Sequence, residues 1–93
     1  MTEYQFHWWV AGGSPTLTPG LRLQAESLRH GAALALRTFA QQGCDIAAPL
    51  AHLDLTDADG VRHTLLVDEV VEWLSEPGQA AFVEREGLAV LLH

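Results

Sequence analysis

The chain contains no lysine, no asparagine, one cysteine and one isoleucine in its 93 residues. A single cysteine, Cys44, cannot close an internal disulfide, so the fold has to stand on packing alone. That predicts a reducing, cytoplasmic setting. The opening residues Met-Thr-Glu-Tyr carry neither the basic nor the apolar stretch of a signal peptide. Apolar runs such as Ala32 to Leu36 fall far short of the ~20 residues that cross a bilayer, so no membrane partner is expected. Lys, Asn and Ile are encoded by AT-rich codons. Their scarcity beside five arginines points to a GC-rich coding sequence of bacterial type.

Catalytic and metal-binding patterns are missing too. The five histidines, His7, His30, His52, His63 and His93, form no pair at the short spacing of a zinc site. The stretch Asp57-Ala58-Asp59-Gly60 has the look of a calcium loop. The places of that loop's first acid and last bidentate Glu, however, hold Leu55 and Leu66. Cys44 follows a predicted helix end, where the dipole disfavours a thiolate. Gly12-Gly13-Ser14 matches neither a nucleophile elbow nor a phosphate loop. Acids on the C-terminal helices are expected to form a solvated polar face rather than an acid/base pair. The expectation is a protein without a cofactor or a catalytic site.

The residues that are present specify an α+β domain. A chain of this length buries roughly 60–65% of its unfolded surface, enough for one core and one domain over 1–93. Residues 4–11 alternate, with Tyr4, Phe6, Trp8 and Val10 opposed to Gln5, His7, Trp9 and Ala11, the signature of a half-buried strand. Leu21, Leu23 and Ala25 alternate with Arg22, Gln24 and Glu26 and predict a second strand, antiparallel to the first. Ser27 is a plausible N-cap. Leu28, Ala32, Ala35, Leu36 and Phe39 then share one face of a helix over 28–42, with Arg29, His30, Arg37 and Gln41 away from it and Gly43 just past its end. Residues 51–67 read as a hairpin closed by a type I turn with a glycine bulge at Gly60, pairing Leu55 with His63 and Leu53 with Leu65. One face of this hairpin is apolar, and the other carries His52, Asp54, Thr56, Arg62, Thr64 and Leu66. Thr64 lies opposite Asp54, and Arg62 is expected as an ion partner of that carboxylate in preference to a metal; His63 is expected to be packed with one hydrogen bond or to lie near the sheet edge. Asp68 is expected to cap a short helix with Val70, Val71 and Leu74 inward. Ser75 is expected to cap a last helix with Pro77 in its first turn, Ala80 to Val83 on its apolar side and Gly87 at its end. Residues 89–92 are too apolar to stay in water and predict a strand, a docked tail or an oligomer contact. The order β-β-α-β-β-α-α predicts two layers, an antiparallel sheet of two hairpins with helices on one face.

The strand-to-helix step from Leu21 to Ala40 is similar to one in many small bacterial and phage α+β proteins. In size and acidity the chain resembles antitoxins and phage-encoded inhibitors of defence systems, anti-CRISPR proteins among them. The likeness is one of size and charge alone; it assigns the chain to no named family and transfers no residue-level function.

Charge carries the remaining information. The net charge is −7, and all of the excess lies in residues 51–93, which hold nine acids and two arginines. Such a field repels nucleic acid and anionic lipid and attracts a basic protein surface. A basic stripe for direct nucleic-acid binding is absent. The candidate interaction residues are the acids Asp68, Glu69, Glu72, Glu76, Glu84 and Glu86 with Trp73 beside them, and an aromatic patch of His7 and Trp9. Three roles follow: an inhibitor-like or antitoxin-like domain that occupies a basic partner surface, a homodimeric or larger accessory subunit, and a small enzyme or ligand binder with an inter-subunit site.

Overall fold

In a computed structural model of the chain, residues 2–9, 20–43 and 51–92 are described, Trp8 and Trp9 by their backbone only. Four antiparallel strands, β1 (Thr2–Trp9), β2 (Leu21–Ala25), β3 (His52–Thr56) and β4 (Arg62–Leu66), lie in the order β2-β1-β3-β4. Three helices form the second layer: α1 (Leu28–Gln41) and α2 (Val67–Leu74) pack on one face of the sheet, and α3 (Ala80–Glu86) joins them through Phe82 and Val83 in the same core. Short 3-10 helices, Pro77–Gln79 and Leu88–Leu92, precede and follow α3. The architecture is the two-layer α+β fold that the alternation of apolar residues predicts.

The layers meet through the alternate residues of the strands. Tyr4 and Phe6 of β1, Ala25 of β2, and Leu53 and Leu55 of β3 are buried toward the helices. From the helices come Ala32, Ala33, Ala35, Leu36 and Phe39 of α1, Val67, Val70 and Leu74 of α2, and Phe82 and Val83 of α3. Small residues on α1 let its axis come close to β1. A Cβ at the buried Gly31 would sit 3.0 Å from Phe6 Cζ and 3.3 Å from Ala25 Cβ. The helix starts where Ser27 Oγ accepts the His30 N–H at 3.3 Å, and Gly43 follows its end at φ 90°, as the sequence predicts.

The strand β1 begins two residues earlier than the alternation suggests, because Thr2 and Glu3 pair with Ala25 and Gln24. Its expected continuation through Val10 and Ala11 lies outside the described residues, as does Cys44. The β3–β4 hairpin has the predicted register, with Leu53 opposite Leu65 and Leu55 opposite His63. Its turn closes through Gly60 N–H to Asp57 O and Asp57 N–H to Val61 O, both 3.0 Å, with Gly60 at φ 82°. Val61, at the tip of the apolar row, is 51% exposed.

Asp57 holds this turn together. Its Oδ1 accepts the N–H groups of Asp59 and Val61, each at 2.9 Å, and its Oδ2 lies 3.0 Å from His63 Nε2. The His63 contact first, and then the Val61 N–H, hold the Asp57 carboxyl below its ordinary value. A depressed folded-state value means that the ionised group favours folding above the ordinary carboxylate range. That contribution fades as pH falls through the depressed value. Asn at this position keeps an acceptor for the turn and removes the charge. Asp57→Asn is therefore expected to lower stability at neutral pH and to flatten the acid limb of the stability curve. Urea unfolding from neutral to acid pH measures both effects.

Four local expectations are corrected. Asp68 does not cap α2. The β3–β4 ladder runs on through Val67 N–H to Ala51 O at 3.0 Å, and the helix leaves the strand directly, with Leu66 as its extended N-cap residue. Asp68 and Glu69 both sit in the first turn, where acids favour the helix dipole. Ser75 caps no later helix; it ends α2, its Oγ donating to Val71 O at 3.0 Å. Val71 is half-buried, beside the inward stripe rather than in it. Ala80 and Ala81 are exposed, because seven residues of α3 provide one inward row, Phe82 and Val83.

The C-terminal segment is a docked tail. Gly87, in the left-handed region at φ 66°, turns the chain out of α3, and Leu88 and Leu91 insert into the core against α1.

Candidate acidic groove

Helical spacing divides α2 into two faces. Val67, Val70 and Leu74 point into the core, while Glu69 and Glu72, three residues apart, stand on the outer side. After Ser75 the chain becomes extended, and Glu76 follows the same edge. Packing α2 beside α1 brings Arg29 across from these acids. The result is an open groove of about 350 Å³ lined by Glu69, Glu72, Glu76, Arg29, Trp73 and the apolar Leu65 and Val70.

Trp73 is half-buried and fixed by its neighbours. The His30 ring meets it edge-on at 5.1 Å between centroids, and Phe82 lies at 6.2 Å. His30 is itself wedged against Phe82 at 4.6 Å, with Ser27 Oγ 2.6 Å from its Nδ1. A Ser–His dyad at this distance has the form of a nucleophile and its base. Here the hydroxyl also serves as the cap of α1 and the imidazole is packed between aromatic rings, so the pair is a structural joint. The sequence placed His30 away from the apolar face. Its three-residue spacing from a capping serine was the available signal.

The other predicted residues separate into three places. Glu84 is exposed on α3, and Asp68 is exposed on α2 without lining the groove. Glu86 is drawn inward: Arg37 Nη1 donates to its backbone carbonyl and lies 3.7 Å from its Oε2, and Arg85 Nε is 3.4 Å from its Oε1. That carboxylate is a clamp between α1 and α3. His7 is exposed on the sheet face opposite the helices, with its ring against Gly20. Trp9 pairs in register with His52 at the end of β1, and its side chain lies outside the described residues. His7 therefore stands on the other layer from the predicted acidic face.

On that sheet face, Asp54 accepts from Thr64 Oγ1 at 3.1 Å and lies 3.8 Å from His52 Nε2. Thr64 stands directly across from Asp54, as the register predicts, whereas Arg62 stands opposite Thr56, one row away, and His52 takes the place expected of Arg62. Among the described residues, no group of three His, Cys, Asp or Glu is placed to hold a metal ion, and no helix is long and apolar enough to cross a membrane.

Chemically, the groove offers three carboxylates, one arginine and the flank of an indole. Carboxylates accept charge-assisted hydrogen bonds from Arg and Lys, and an indole attracts the same cations. No protein-family model, no curated protein and no solved structure matches this chain.

Proposed function

We propose that the chain is a non-enzymatic interaction domain whose α2 groove receives a basic surface of a protein partner. The observation that carries this reading is the convergence of Glu69, Glu72 and Glu76 around Trp73, with Arg29 the only basic side chain among the described lining residues. From Val67 to Leu92 the chain holds six acids and one arginine, so the approach to the groove is negative as well. A field of this sign speeds encounter with a cationic surface, and a fixed aromatic anchor holds it. An inhibitor-like or antitoxin-like protein, working in the bacterial cytoplasm, would use such a surface to cover a nucleic-acid-handling site on its target.

The test is a fluorescein-labelled peptide of Arg and Ser, without apolar residues, titrated by anisotropy at low and high salt. Binding is expected at low salt and is expected to weaken steeply as salt rises. Glu69→Gln/Glu72→Gln is expected to weaken it about tenfold, which corresponds to roughly 1.4 kcal/mol. Equal affinity for the variant and the parent would remove the groove from the site. No binding at low salt would sink the reading.

A further inference from the structure

Glu76 lines a second concavity on the other side of the α2–α3 corner. This one is apolar. Leu74, Pro77, Ala80 and Val83 form one wall and Ala89 and Leu92 of the terminal 3-10 helix form the other, around a volume of about 370 Å³. Its two carboxylates, Glu76 and Glu84, stand with Ser75 as its polar lining, and no basic side chain is among the described residues that line it. Val90, beside it on the tail, is 61% exposed and Leu92 is 36% exposed. Apolar surface of this kind, bordered by charge, is the form of a protein-binding groove.

The charge identifies the occupant. A second copy of the chain docked in an isologous manner would bring the same groove, with the same two acids, against itself. Like charges would then meet at the border of a low-dielectric contact, with no arginine from the groove to neutralise them. A partner whose apolar anchors are flanked by Lys or Arg meets the opposite situation. Its anchors fill the groove while its cations reach Glu76 and Glu84. Because Glu76 also lines the acidic groove, cations on the same segment continue into that site.

We infer that the groove between α3 and the C-terminal tail binds a segment of a partner protein in which apolar anchors are flanked by Lys or Arg. The inference rests on the basic-partner reading above and adds to it an apolar anchor site.

Three labelled peptides separate the two. In the first, Leu occupies the anchor positions and Lys the flanks. In the second, Ser replaces Leu, and in the third, Glu replaces Lys. The Leu/Lys peptide is expected to bind at least about tenfold more tightly than the Ser/Lys peptide, and the Leu/Glu peptide is expected not to bind. Ala80→Gln/Ala89→Gln fills the groove with neutral polar side chains at two exposed positions. It is expected to abolish the preference for Leu/Lys while leaving Ser/Lys binding unchanged. Amide shifts on the parent protein are expected to centre on Ala80, Val83 and Ala89, a readout independent of how the variant folds. Equal binding of the Leu/Lys and Ser/Lys peptides overturns the apolar anchor and leaves the acidic groove standing. Failure of both Lys peptides to bind overturns both readings. A dimer in sedimentation that the double Gln variant converts to monomer would assign the groove to a second copy and overturn the inference.

Discussion

Phe6→Ala is expected to cost about 3–5 kcal/mol, a large part of the roughly 5–15 kcal/mol that holds a domain of this size together. Phe6 is fully buried in β1, a central strand of the sheet, and its ring lies beneath Gly31 of α1. Glycine inside a helix costs about 1 kcal/mol relative to alanine, and it stands here because helix and ring approach so closely. A methyl group at Gly31 would already be tight, at 3.0 Å from Phe6 Cζ. Gly31→Leu requires α1 to lift from the sheet and is expected to cost about 1–3 kcal/mol or more. The two changes are not additive. With Phe6 truncated, the leucine has a cavity to enter, so Phe6→Ala/Gly31→Leu is expected to be more stable than the sum of the single losses. A double-mutant cycle by urea unfolding measures the coupling. Strict additivity would mean that α1 and β1 do not meet at this pair.

The same seam shows what periodicity can and cannot reveal. Alternation in β1 and β2, the heptad-like stripe of α1 and the turn at Asp57 to Gly60 each specify which side chains face inward; Tyr4, Phe6, Ala25, Ala32, Ala35, Leu36, Phe39, Leu53 and Leu55 are buried, Leu21, Leu23, Leu28 and Leu65 partly so, and Val61 is exposed. Period alone does not say which strands are neighbours. The β1–β3 pairing joins the two hairpins, with Phe6 opposite Leu55 and Trp8 opposite Leu53, and it depends on the helices covering both hairpins at once. The start of α2 is not legible because the strand passes straight into the helix: Leu66 holds the cap position and Asp68 already lies in the first turn. At the candidate site, Glu69, Glu72, Trp73 and Glu76 were readable from the acidic, aromatic composition of α2. Arg29 was not, since it reaches the groove only through the docking of α1 on α2. Nor was the withdrawal of Glu86 by Arg37, a contact spanning 49 residues of sequence with no local pattern to announce it. An acid counted from sequence as free surface charge is half-buried between two arginines once α1 and α3 meet.

Leu88→Ala is expected to cost about 2–5 kcal/mol, whereas Val90→Ser, two residues away, is expected to stay within about 0.5 kcal/mol. The difference follows from the two sides of the terminal 3-10 helix. Leu88 and Leu91 are buried against α1, α2 and α3, while Ala89, Val90 and Leu92 face outward. Burying a leucine side chain stabilises by about 1.5–3 kcal/mol. Truncation after Gly87 removes both inward leucines and opens the core they close, a loss comparable with the whole stability of a marginal domain. The truncated chain is therefore expected to show no cooperative thermal transition by circular dichroism. A cooperative transition near that of the parent would show that the tail is not part of the fold. It would also leave the apolar groove, one wall of which is Ala89 and Leu92, without a rigid side. The two leucines that hold the tail in place thus also decide whether the groove exists. Val90→Ser should leave the melt unchanged and Leu88→Ala should not, and only with that pattern does a binding loss in Ala80→Gln/Ala89→Gln report on the groove rather than on the fold.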